Sequence, residues 1–168
     1  MNAKNQLNEK LDWISQGQTL EEQVNRAREV QRQDGTFASF MRMACVDAEK
    51  ICGVPEGMPD TYKPETDIPD GISDTTARQE LRRIRNFLSG GSMQKIPAHK
   101  REAAWIQMLE GLHWKEAAIL IQIKDRTLFN SYPNLYDVLT QLGVKIDVSA
   151  PKMTKSSSSK SKKAPKSV

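Results

Sequence analysis

Apolar residues recur at helical spacing along most of the chain. In residues 4–15, Leu7, Leu11 and Ile14 share one face, and Gly17 marks a stop. Thr19 and Glu22 have the spacing of a capping box ahead of LEEQVNRAREVQRQ. Leu20, Val24, Ala27 and Val30 give that segment a thin apolar stripe, so it should lie on the surface. Asp34-Gly35 ends it. Thr36 then opens one long helix through Ile51, with Phe37, Phe40, Met41, Ala44, Ala48 and Ile51 inward, and Gly53 closes it.

The periodicity then breaks. Residues 54–73, VPEGMPDTYKPETDIPDGIS, hold four of the chain's 8 prolines, which rules out a helix or a central strand. PEG and PDG suit turns in which Pro sits at the second position and Gly takes a positive φ.

Helical spacing resumes at Ser73 or Asp74. It predicts one helix through Leu88, with Leu81, Ile84 and Leu88 inward and Gly90-Gly91 as its end. Pro97 sits at the next helix start; Trp105, Met108, Leu109 and Leu112 share a face, and Gly111 is a break. WKEAAILIQI (114–123) is apolar nearly all round and should be the most buried segment. Ser131 and Pro133 begin a last helix with Leu135, Val138, Leu139 and Leu142 inward. VKIDV (144–148) has the composition of a short strand with no evident partner. The reading is all-α: a small orthogonal bundle of six to seven helices. It divides into an N-terminal helical region (1–53), a Pro/acidic strap (54–73), a C-terminal helical core (74–148) and a disordered Ser/Lys tail (149–168).

Composition changes the picture at one point. Hydrophobic residues make up 38% and charged residues 27%, which suits a soluble globular chain. No apolar run approaches the roughly 18 residues of a membrane span, and no secretory leader is evident, so no membrane partner is expected. The net charge is +4, but residues 149–168 carry six lysines and no acid. Taking those six away leaves the body at −2. The basic character therefore belongs to the tail.

Enzyme signatures are lacking. There is no nucleophile elbow, P-loop or dinucleotide fingerprint. Cys45, Cys52, His99 and His113 are the soft-metal candidates, but the cysteines lie seven apart, wider than a zinc pair. Glu102, Glu110 and Glu116 fall on helix faces expected to be exposed, with no shared apolar pocket to perturb them. No catalytic residue, metal or cofactor is expected. Residues 111–132 have a faint helix-turn-helix look, but the turn lacks glycine and the first helix is too apolar.

Charge patterning supplies the binding candidates. Arg78, Arg82 and Arg85 form a stripe with Arg83 beside them, and Lys100 and Arg101 follow. Guanidinium forks suit phosphate, yet Glu80, Glu102 or the strap acids are equally apt partners. Glu56, Asp60, Glu65, Asp67, Asp70 and Asp74 face a single lysine, Lys63, in and beside the strap. The expectation is an ordered strap across the C-terminal helices. Met58 and Tyr62 would anchor it, and some of its acids would lie near Arg82 or Arg85. In the tail, Lys160, Lys162 and Lys163 offer non-specific affinity for polyanions, nucleic acid included.

VPEGMPDTYKP (54–64), IPDGISDT (68–75), ELRRIRNFLSGG (80–91) and KREAAWIQMLEGLHWKEAAILIQIKDRTLFNSYPNLYDVL (100–139) together resemble a small-protein family of tailed phages, found in myoviruses including cyanobacterial phages. The likeness covers about residues 40–142. Trp114 departs from it, standing where the family commonly has proline. The family carries no assigned function, so no site residue transfers. The resemblance implies a phage-encoded protein made in the cytoplasm of an infected bacterium. The apolar C-terminal core, the basic helix, the lysine tail and the missing catalytic groups lead to the expectation of a non-enzymatic phage accessory protein that binds a phage or host protein or other macromolecule, with weak nucleic-acid or polyanion binding through the tail. The alternative is a virion structural or assembly component of the capsid, neck or tail.

Overall fold

The computed structural model describes residues 6–150. The described residues form an all-α bundle of eight α-helices: α1 (Leu7–Ser15), α2 (Leu20–Gln33), α3 (Thr36–Cys45), α4 (Leu81–Arg85), α5 (Ala98–Gly111), α6 (Trp114–Asp125), α7 (Leu128–Ser131) and α8 (Leu135–Gln141). Two of these, α4 and α7, are little more than single turns. Short 3-10 turns occupy Asp47–Glu49 and Ser92–Lys95. The tail from residue 151, with Lys160, Lys162 and Lys163, lies outside the described residues.

The most apolar segment takes the centre. α6 packs against α1, α3, α5 and α7, while α2 packs against α1, α3 and α8. Ala117, Leu120 and Ile123 on α6 have no exposed surface. One hydrophobic cluster runs from Leu7 to Leu139, so the segments before and after the strap share a core. At α2 the Thr19 hydroxyl accepts from the Glu22 amide at 3.1 Å. The Glu22 carboxylate reaches one residue further back than a capping box requires, accepting from the Gln18 amide at 3.0 Å.

Tertiary contacts cut two of the expected helices short. The helix from Thr36 stops at Cys45, not Ile51, because its terminal carbonyls are claimed from outside. Asp147 N–H donates to the Cys45 carbonyl at 2.8 Å, and Arg126 Nη2 donates to the Val46 carbonyl at 2.8 Å. The Asp147 bond, with the Asp47 amide donating back to the Asp147 carboxylate at 2.7 Å, holds residues 144–148 against the end of α3, and no strand forms there. Ile51 then pairs with Leu88 in an isolated antiparallel bridge, and the Cys52 amide donates to the Phe87 carbonyl at 3.0 Å.

That bridge also removes Leu88 from the expected 74–88 helix, which survives only as α4. Residues 77–80 form turns instead, with the Thr75 amide donating to the Gly111 carbonyl at 3.0 Å and the Ala77 amide to the Glu116 carboxylate at 3.1 Å. The Ser73 hydroxyl, expected to cap, donates to the Thr75 carbonyl at 2.7 Å instead. Gly90 ends the segment with φ +83°. A Cβ on Gly91 would lie 2.4 Å from the Asn86 carbonyl oxygen, and that same oxygen accepts from the Met93 amide at 3.0 Å. Gly91→Ala is therefore expected to cost about 1–3 kcal/mol, read as a lower midpoint in urea unfolding.

Between α6 and α7, Arg126 takes a left-handed φ of +63° and makes the turn without a glycine. The four-residue α7 is too short to serve as a recognition helix.

Candidate interaction site

The strap runs antiparallel along α6, pinned near both ends through its carbonyls. The buried Lys124 at the end of α6 donates to the Pro55 carbonyl at 2.9 Å, and the Gly57 amide donates to Asp125 at 2.9 Å. At the start of α6, His113 Nε2 meets the Ile68 carbonyl at 3.3 Å. Its Nδ1 accepts from the Lys115 amide at 3.1 Å and so caps the helix. Those two bonds require the Nε2-protonated neutral ring. Where the strap begins, Arg101 Nε donates to the Gly53 carbonyl at 2.6 Å and Nη1 to the Ile96 carbonyl at 2.7 Å.

Proline acts differently here from the expected turn pattern. Pro59 and Pro69 occupy the first turn position, not the second, and their carbonyls accept from the Tyr62 and Ile72 amides at 3.1 and 3.2 Å. Gly71 supplies the positive φ of the second turn, at +82°. Tyr62 is buried, and burial, with Glu110 nearby, raises its pKa. Met58 is 53% exposed and anchors nothing, a correction to its assignment beside Tyr62.

The pairing of strap acids with the arginine helix does not form among the described residues. Arg78 lies 3.5 Å from Asp34, Arg83 pairs with Glu80 at 2.9 Å, and Arg85 donates to the Ser39 hydroxyl at 3.0 Å. Arg82 and Lys100 are exposed. Of the acids in 54–74, only Asp70 has an ion pair among the described residues, to Lys115 at 2.8 Å, and that bond lowers its pKa.

The strap and the start of α6 enclose an open groove of about 540 Å³. Tyr62, Ile68, Ile72, Leu112 and Trp114 are its apolar lining; Glu65, Asp74 and Glu110 are its acids, and Lys63 its lysine. Ile72 is 58% exposed at its edge. A second cleft, of about 370 Å³, lies between α1, α2 and α8, but its polar pair is self-satisfied: Tyr132 donates to Asp12 at 2.6 Å.

Glu116 is the residue the sequence reading misplaced. It is 0% exposed. Its two carboxylate oxygens accept from the Leu7 amide at 2.8 Å and the Ala77 amide at 3.1 Å. Burial pushes its pKa up to about 7, against the lowering effect of those two amides and of Lys10. An isolated EAA sequence gave no sign of this, since the acids of a helix's first turn are ordinarily solvated. The other buried acid, Asp34, is driven up by burial. The bonds from Lys10 and Thr36 outweigh that effect and hold its carboxyl below the usual range.

Cys45 is buried, and burial raises its thiol to about 11, which disfavours the thiolate needed for metal or nucleophile chemistry. Among the described residues no group of His, Cys, Asp and Glu has the grouping of a metal site, and no helix is long and apolar enough to cross a membrane.

Residues 11–130 match the family described as a family of unknown function, DUF6433. No curated protein and no solved structure matches the chain.

Proposed function

We propose that this chain, which belongs to the DUF6433 family of unknown function, is a non-enzymatic accessory protein that binds a macromolecule through its surface. One observation carries the reading. The buried acid–base groups Glu116, Asp34 and His113 each accept a backbone amide of the chain itself. A group committed in this way to holding the backbone has little capacity left for proton transfer. Exposed charge includes the acids of the strap and the arginines of α4.

The resemblance of residues 100–139 to a tailed-phage family supports a phage setting, with the partner a phage or host macromolecule and the host cytoplasm or the virion as location. The tail lysines Lys160, Lys162 and Lys163 would add salt-sensitive affinity for nucleic acid.

Affinity purification of the tagged full chain from phage-infected cells, with mass spectrometry of purified particles, tests this. A stoichiometric phage or host partner, weakened by Arg82→Glu/Arg83→Glu or by charge reversal at the strap, supports the reading. Recovery of no partner and no nucleic acid at low salt would sink it.

A further inference from the structure

We infer that the strap groove docks an extended, cationic segment of a partner protein, with one apolar side chain of that segment seated against Ile68, Ile72 and Trp114. This rests on the macromolecule-binding reading above and names the chemistry of the partner.

The charge distribution carries the inference. An acidic strap beside a basic helix ought to neutralise itself, and here it does not. The strap is held through the carbonyl oxygens of Gly53 just before it and of its own Pro55 and Ile68, which accept from Arg101, Lys124 and His113. Carbonyl bonds fix the strap's path and leave its side-chain carboxylates uncommitted. Glu65 on the strap, Asp74 just after it and Glu110 on α5 stand around the groove without an ion pair among the described residues, against one lining lysine, Lys63. With three acids against one lysine, this partly apolar cleft keeps a net negative charge, which raises the local concentration of cations and repels polyanions. Nucleic acid is therefore the wrong occupant for this face, whatever it does elsewhere on the molecule.

The groove's shape and fixing point the same way. Its volume of about 540 Å³ accommodates more than one side chain, and its open form admits a continuous chain. Ile72 at its edge is too exposed to serve the core and is placed to cover a docked apolar residue. Because the strap is already tied to both ends of α6, little loop ordering opposes binding. Proline at Pro55, Pro59, Pro64 and Pro69 removes four amide donors from the strap, so its free backbone groups lean toward acceptors, which suits lysine and arginine side chains.

Three short fluorescein-labelled peptides test the inference by anisotropy against the full chain. One is lysine-rich with a central Leu-Phe, one has its lysines replaced by glutamate, and one keeps the lysines but has Gly-Ser at the centre. The first is expected to bind well above the other two. Glu65→Lys/Glu110→Lys, shown by circular dichroism to be folded, is expected to weaken it by about tenfold or more. Glu21→Lys, a charge reversal on the exposed face of α2 away from the groove, should leave it unchanged.

Equal binding of all three peptides, no binding of the first, or indifference to the groove charges would each overturn the inference. A Lys160→Gln/Lys162→Gln/Lys163→Gln chain that binds the first peptide tenfold tighter would also overturn it, since the occupant would then be the chain's own tail. If the peptides fail while affinity purification still yields a partner lost on α4 charge reversal, macromolecule binding stands and only the groove assignment falls.

Discussion

Unfolding by urea becomes easier as pH rises from the ordinary glutamate range through about 7, and Glu116→Gln removes that component. The buried carboxyl holds its proton more tightly folded than unfolded. Its contribution is therefore fully present below the unfolded pKa and is lost as pH rises through the folded value. A shift from the ordinary value to about 7 corresponds to a loss on the order of 3 kcal/mol across that window. Burial is the dominant cause and Glu9 adds to it, while the Leu7 and Ala77 amides and Lys10 oppose it.

Glutamine keeps a carbonyl oxygen for one of the two amides and carries no charge at any pH, so it resembles the protonated acid. Glu116→Ala is harsher, because it strands both buried amides at about 1–3 kcal/mol each. The comparison is made on unfolding free energies at several pH values. A Glu116→Gln protein with the same pH slope as its parent would locate the titration elsewhere.

Trp105→Ala is expected to cost about 3–5 kcal/mol. Trp105 is entirely buried on α5 and meets Phe87 edge to face, with ring centroids 5.3 Å apart. That contact joins the helix carrying the strap's Arg101 tie to the segment that pairs with Ile51, so the cavity would open where several elements converge. Its indole N–H finds no acceptor among the described residues. Phenylalanine gives up volume but also removes that buried orphan donor. Trp105→Phe should therefore fall well short of the alanine loss in a urea titration. Equal losses for the two variants would mean that the N–H contributes a bond after all.

Where local chemistry decides an element, the sequence was enough. Thr19 starts α2, Pro97 starts α5, Gly111 ends it, and the apolar run at 114–123 becomes the central helix. In each case the deciding residue acts on its own turn or through burial that its neighbours share.

The misses have a common physical origin: groups distant in sequence compete for backbone hydrogen bonds. α3 ends early because Asp147 and Arg126 take its last carbonyls. The 74–88 segment is tied at its start to Gly111 and Glu116 through the Thr75 and Ala77 amides, and loses its end to the Ile51 bridge. No spacing rule within those segments contains this information. The strap shows the same limit for charge. Its acidity and the basicity of α4 were plain, but whether the two would meet depended on how lysine and arginine side chains reached its carbonyls.

The bond from Glu116 to the Leu7 amide also bears on the order in which the molecule can be assembled. The acceptor for the first turn of α1 lies 109 residues downstream. At synthesis rates of about 5–20 residues per second, the nascent α1 waits on the order of 5–20 s before that acceptor exists. During that interval Leu7, Leu11 and Ile14 also lack the α6 surface that buries them. The amino-terminal helix can meet α2 early in synthesis, but its packing is complete only once α6 has been made.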